Sequence, residues 1–224
     1  EKLLNTYLDR GGNYIETAQG YADGISERKV GKALSKRRDD FYLATKCDKR
    51  TAKEAEEIIN RSLNYLNTDY VDILFVHVVQ TEDELNTVMG KGGAIEAYEK
   101  AKKEGKVRYI AISGHGQPDT LIKAIESYPF DILMTGFNYY DRFNFPKVES
   151  ALLPQCEIKG IGVIGMKGLA DGYLYRSYEK AMRYSLSLPI STLVMGINTM
   201  EQLNKDFDVI ENFTPMDEKE KEEW

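Results

Sequence analysis

Apolar positions follow two rhythms along this chain. Short, nearly continuous apolar runs bounded by Gly and polar turns read as strands: "NYIETA" (13–18), "FYLATK" (41–46), "VDILFVHV" (71–78), "VRYIAIS" (107–113), "DILMTGFN" (131–138), "GVIGMK" (162–167) and "TLVMGI" (192–197). Between them, apolar residues at helical spacing predict helices around 27–37, 52–66, 92–104, 118–127, 147–159, 177–187 and 200–212. Strict alternation with strands apolar on both faces implies a parallel sheet covered by helices.

Leu3, Leu4, Tyr7 and Leu8 are spaced as a helix that stops at Gly11, so the sequence begins inside a helix. Seven strands preceded by a helix point to an eighth strand before residue 1, which would complete a (β/α)8 TIM barrel. A doubly wound open sheet competes, but no GxGxxG turn follows any strand. The segment "DELNTVMGKGG" (83–93) reads as an insertion in the loop before helix 92–104, and with no linker in sight residues 1–224 read as a single domain. In "NFTPMDEKEKEEW" (212–224), Thr214 as N-cap, Pro215 in the first turn and acids near the positive dipole end predict a further helix. Both ends read as trimmed from, or incomplete in, a longer chain.

A chain of 224 residues, 42% hydrophobic and 29% charged, can bury a sizeable core, and its net charge of −6 argues against a general nucleic-acid or membrane-surface binder. No apolar run approaches the roughly 20 residues that span a bilayer, so a soluble, cytoplasmic protein is expected. Cys47 and Cys156 lie far apart and form no CxxC pair; they encode neither a disulfide framework nor a metal site.

In a barrel the active site lies at the carboxyl ends of the strands. Three successive strands end in ionisable residues: Glu16, Lys46 and His77. Tyr21, five residues past Glu16, can lean over the same rim. Each has a bland alternative, since most of the 15 tyrosines pack, a strand-end His is commonly structural, Lys46 could be solvated and Glu16 could cap a backbone. Their convergence on one rim is harder to obtain by chance.

These residues sit in motifs with a known likeness. The stretch "GGNYIETAQGY…SERKVGKAL" resembles the GxNxxDTAxxYG…SExxxGxAL signature of the aldo/keto reductases, and "LATK", "SLNYLNTDYVDILFVH", "KAKKEGKVRYIAISGHG" and "GIGVIGMKGLADG" follow in that family's order. Judged by "SLPISTLVMGINTMEQL", the chain resembles the bacterial and archaeal branch that often carries a C-terminal iron–sulfur segment, which here would lie beyond Trp224. The resemblance implies reduction of a small aldehyde or ketone by NADPH, with NADP as the cofactor and NAD as the alternative. It implies a tetrad in which Tyr21 is the general acid, Lys46 favours its phenolate, Glu16 holds Lys46 and His77 orients the carbonyl. Ser26 and Glu27 are expected to start the next helix.

The sequence departs from the family pattern in places. Glu16 replaces Asp. At the cofactor positions Ser113 stands where a Ser–Asn pair meets the nicotinamide amide, but Gly114 replaces the Asn. Met134 stands for Gln, Met166 replaces a stacking aromatic, and Lys167 could meet the pyrophosphate. In the 2′-phosphate loop Gly196 and Ile197, ahead of Asn198, replace Lys and Ser, and Gln202 replaces Arg, so the basic clamp is missing. Tyr139, Tyr140 and Tyr173 imply an apolar-walled substrate pocket. These eroded contacts keep a second reading open: a non-catalytic nucleotide-sensing or partner-binding protein on the same fold.

Overall fold

The computed structural model describes all residues, Glu1–Trp224, as two compact units: residues 1–113 with 129–131, and residues 114–128 with 132–224. The first unit runs α1 (Lys2–Asp9), β1 (Tyr14–Glu16), α2 (Ile25–Leu34), β2 (Tyr42–Cys47), α3 (Ala52–Leu66), β3 (Val71–Val76), α4 (Glu82–Met89), α5 (Ala94–Lys103) and β4 (Val107–Ser113). Its strands are parallel and pair in chain order, with Glu16 opposite Ala44, Lys46 opposite Phe75 and Phe75 opposite Ala111. β3 is buried along its whole length, as its unbroken apolar run requires. Fully buried Tyr98 of α5 ties the helix layer to the sheet by donating its hydroxyl to the Phe75 carbonyl at 2.9 Å.

The second unit runs α6 (Pro118–Ser127), β5 (Ile132–Gly136), α7 (Asp141–Asn144), α8 (Leu153–Lys159), β6 (Gly162–Met166), α9 (Tyr178–Leu186), β7 (Thr192–Leu193), α10 (Met200–Glu211) and α11 (Glu218–Glu222). β5, β6 and β7 are again parallel and in order. Helix α8 is led by one wide turn over Val148–Leu152, and together they fill the predicted 147–159.

Four local expectations are corrected. The "insertion" at 83–93 is mostly a helix: Thr81 and Glu84 form a capping box that starts α4. Helix α2 starts not at Ser26 but after Gly24, whose φ of 82 suits glycine, so Ser26 and Glu27 lie inside the first turn. β7 is cut to two residues; Val194 still donates to the Gly165 carbonyl at 2.8 Å before the chain turns into the Thr199 cap of α10. The last helix starts at Asp217 rather than Thr214, because the Asp217–Glu220 capping box and buried Met216 fix that end.

Candidate active site

The four residues expected to do chemistry meet within the first unit. Glu16 closes β1, Lys46 is the penultimate residue of β2, His77 follows β3, and Tyr21 stands in the loop between β1 and α2. The parallel register puts Glu16 beside β2, and Lys46 Nζ donates to Glu16 Oε1, to the Thr17 carbonyl at 3.1 Å and to the Tyr21 hydroxyl at 3.3 Å. Lys46 is 2% exposed, so its charge is almost entirely compensated by these groups rather than by water. The extra methylene of Glu16 relative to Asp is accommodated, since the ion pair forms. Its other oxygen accepts from the Tyr14 hydroxyl at 3.0 Å. Burial, followed by the charge of Glu16, raises the pKa of Tyr14 well above the ordinary phenol value and keeps it a donor. Tyr21 is 44% exposed, and its ring meets that of His77 edge-on at 6.2 Å.

The loop holding Tyr21 is built for a fixed shape. Ala22, Asp23 and Gly24 have φ of 49, 51 and 82, a left-handed run that costs about 1–2 kcal/mol per residue other than glycine. It is held closed from behind. Thr17 Oγ1 donates to Ser26 Oγ at 2.7 Å, and Thr45 Oγ1 donates to Glu27 Oε1 at 2.6 Å. Period-2 alternation explains the arrangement: the neighbours of Glu16 and Lys46 point the opposite way, toward α2. Sequence reasoning treated Ser26 and Glu27 as helix starters only; the signal that could have found them was their position next to two threonines adjoining the tetrad.

The residues expected to meet a nucleotide fare unevenly. In the first unit, Ser113 is 1% exposed; its hydroxyl accepts from the Val78 N–H at 3.1 Å and donates to the Val76 carbonyl at 3.3 Å. In the second unit, the Gly114 N–H donates to the Met134 carbonyl at 3.1 Å, and Met134 itself is wholly buried. Met166 ends β6, and Lys167, at φ 57, is exposed with Nζ 2.8 Å from Asp171 Oδ2. Gly196 is exposed in open space. Gln202 does not stand free as a phosphate ligand: its Oε1 accepts from the N–H groups of Asn198 and Thr199 at 2.8 and 3.3 Å and caps α10. A cleft of about 430 Å³ opens past the carboxyl ends of β5 and β6, walled by Tyr140, Phe145 and Tyr173 with Asn138, Asp141 and Lys167. Tyr139 leaves this wall and stacks at 4.2 Å on Trp224.

No group of three or more His, Cys, Asp or Glu is placed to hold a metal ion, and no helix is long and apolar enough to cross a membrane.

The sequence model of the "Aldo/keto reductase family" matches residues 1–187. An uncharacterized oxidoreductase, YqkF, of Bacillus subtilis is 27% identical, with the match covering 91% of this chain and 79% of that protein. L-galactose dehydrogenase of Arabidopsis thaliana is 32% identical over 72% of this chain and 52% of its own length, and an aryl-alcohol dehydrogenase of Pestalotiopsis microspora is 27% identical over 93% and 56%. The chain thus spans about half the length of these last two relatives. Among solved structures, aldo-keto reductase AKR11C1 from Bacillus halodurans in its holo form superposes with a TM-score of 0.84 at 25% identity, covering 99% of this chain and 84% of that one. An aldo-keto reductase from Klebsiella pneumoniae in complex with NADPH gives 0.77 at 21% identity, covering 98% and 81%. The fold is the (β/α)8 barrel of these proteins with seven of its strands present. The chain belongs to the aldo/keto reductases, a family of NAD(P)-dependent oxidoreductases.

Proposed function

We propose that the protein reduces a small aldehyde or ketone to the alcohol with NADPH, Tyr21 delivering the proton to the carbonyl oxygen. The observation that carries this is the position of Lys46 Nζ, buried against Glu16 and the Thr17 carbonyl and 3.3 Å from the hydroxyl of half-exposed Tyr21. A buried cation at that distance favours the phenolate left behind when the proton goes. His77, edge-on to Tyr21, would donate a hydrogen bond to the same carbonyl oxygen and fix its approach.

The nucleotide would supply the hydride. The residues present fit it in part: Lys167 is exposed beside an open cleft, and Gly196 leaves room for a close backbone approach. These, with Met166 and Asn198, would hold it. With no basic clamp at Gly196, Ile197 and Gln202, preference for NADPH over NADH should be weak, under the roughly 1.4 kcal/mol of a tenfold difference. The aromatic residues Tyr140, Phe145 and Tyr173 give the cleft of the second unit largely apolar walls. A cytoplasmic location without nucleic-acid partners, suited to a net charge of −6, belongs to this reading, as does a single barrel domain. An iron–sulfur segment belongs to it only if the protein continues past Trp224.

A second reading, a non-catalytic nucleotide-sensing or partner-binding protein, is favoured by one observation: Ser113, Met134 and Gln202 are already engaged or buried. Oxidation of NADPH and NADH by the purified full-length protein with a panel of aryl and alkyl aldehydes separates the two. Nucleotide binding without turnover of any aldehyde would favour the second.

A further inference from the structure

The backbone just after His77 is strained, and one side chain spans the strain. Val78 has φ 53, the left-handed region, which a β-branched residue occupies only under constraint. Arg50 Nη1 donates to the His77 carbonyl at 3.0 Å and Nη2 to the Val78 carbonyl at 2.9 Å, so one guanidinium holds two consecutive peptide units. On the other side, Ser113 Oγ takes the Val78 N–H at 3.1 Å.

Arg50 is itself held. Its carbonyl accepts from the Ala94 N–H at 2.8 Å, Thr51 bridges to Gly93, and Glu84 Oε1 lies 3.5 Å from Nη2. The other oxygen of Glu84 accepts from the Gln80 N–H at 2.7 Å. The segment that reads in the sequence as an inserted loop therefore braces Arg50 from behind.

We propose that Arg50 is a positioning residue for the reaction: by forking the carbonyls of His77 and Val78 it maintains left-handed Val78 and thereby the direction in which the His77 imidazole faces Tyr21. This rests on the reading of His77 as the group that orients the carbonyl. A planar fork is required, because a lysine ammonium is a point charge without the fixed pair of donors. Without Arg50 two carbonyls lose charge-assisted donors, Val78 relaxes out of the left-handed region, and the imidazole turns away. Glycine at 78 would accept the same φ without steric cost, so Val78→Gly makes Arg50 partly dispensable.

The chain has two histidines. In a His115→Gln background, isotope-labelled histidine therefore reports His77 alone by NMR, with no substrate or nucleotide present. Arg50→Ala is expected to shift and broaden the His77 ring signals, and Arg50→Ala combined with Val78→Gly to return them toward their original positions. In the otherwise unchanged protein, Arg50→Ala should lower kcat for aldehyde reduction roughly tenfold or more with NADPH Kd unchanged, Arg50→Lys should resemble it, and the double variant should regain most of the loss. Should Arg50→Ala not fold, Arg50→Lys carries the same comparison. Unmoved ring signals in the Arg50 variant, or a double variant no better than the single one, would overturn the proposal. If the ring signals respond as expected but no aldehyde is reduced by the parent protein, the functional reading fails and the positioning of His77 by Arg50 stands.

Discussion

Thr45 and Glu27 share a hydrogen bond of 2.6 Å, and through it the first turn of α2 grips the strand that carries Lys46. Both residues are buried, and the second carboxylate oxygen of Glu27 has no hydrogen-bond partner. Glu27→Ala leaves the Thr45 hydroxyl unpaired and should cost about 1–3 kcal/mol. Glu27→Gln keeps the acceptor and should cost less. A lower urea midpoint at unchanged slope is the expected result, and equal midpoints for the Ala variant and the parent would show that this contact does not stabilise the fold.

Tyr21 is exposed enough that its hydroxyl is a chemical group more than a packing one. Tyr21→Phe should lower aldehyde reduction by about 10²- to 10⁴-fold, leave NADPH affinity unchanged and alter stability by no more than about 0.5 kcal/mol. If turnover persists above a tenth of the parent rate, another group delivers the proton.

Lys46 and Glu16 form a buried pair whose side chains are 2% and 12% exposed. Removing the cation alone leaves a carboxylate with Tyr14 as its remaining hydrogen-bond donor, so Lys46→Met should destabilise by about 3–5 kcal/mol and also abolish turnover. Glu16→Gln retains an oxygen acceptor and should be milder on both counts. Thermal melts and rates of the two variants, measured side by side, check the ordering.

Raising the pH into the alkaline range should weaken the fold. Burial pushes the Cys47 thiol from the usual 9.0 up to about 11, and burial likewise raises Tyr98 and Tyr14 well above the ordinary phenol value. The unfolded chain releases these protons first. Stability is therefore fully present below about pH 9 and falls as pH rises toward about 11. Urea midpoints followed across that window should decline, and Cys47→Ala should flatten the part of the slope due to the thiol. Cys156, also raised to about 11 by burial, should join Cys47 in resisting alkylation of the native protein at neutral pH.

Local pattern by itself determined much of this protein. Apolar runs and helical spacing depend on neighbours a few residues away, which is why helix α3 was legible residue for residue, with Thr51 accepting from the Glu54 N–H as its cap. Glu16, Lys46 and His77 were legible because a parallel sheet with regular connections puts every strand end on one side, so a residue's place along its strand fixes where it stands. What tertiary structure decided lies in pairings between distant segments. Arg50 reaches carbonyls 27 and 28 residues away, Ser113 reaches Val78 across 35, and Thr45 finds Glu27 across 18; no periodicity carries such partners. Competition for the same polar atoms was decided there too. Gln202, aligned with a phosphate ligand, instead satisfies the free N–H groups at the start of its own helix. Tyr139, read as a pocket wall, packs on Trp224, because an aromatic ring takes the burial within its reach and only the folded chain determines what is within reach.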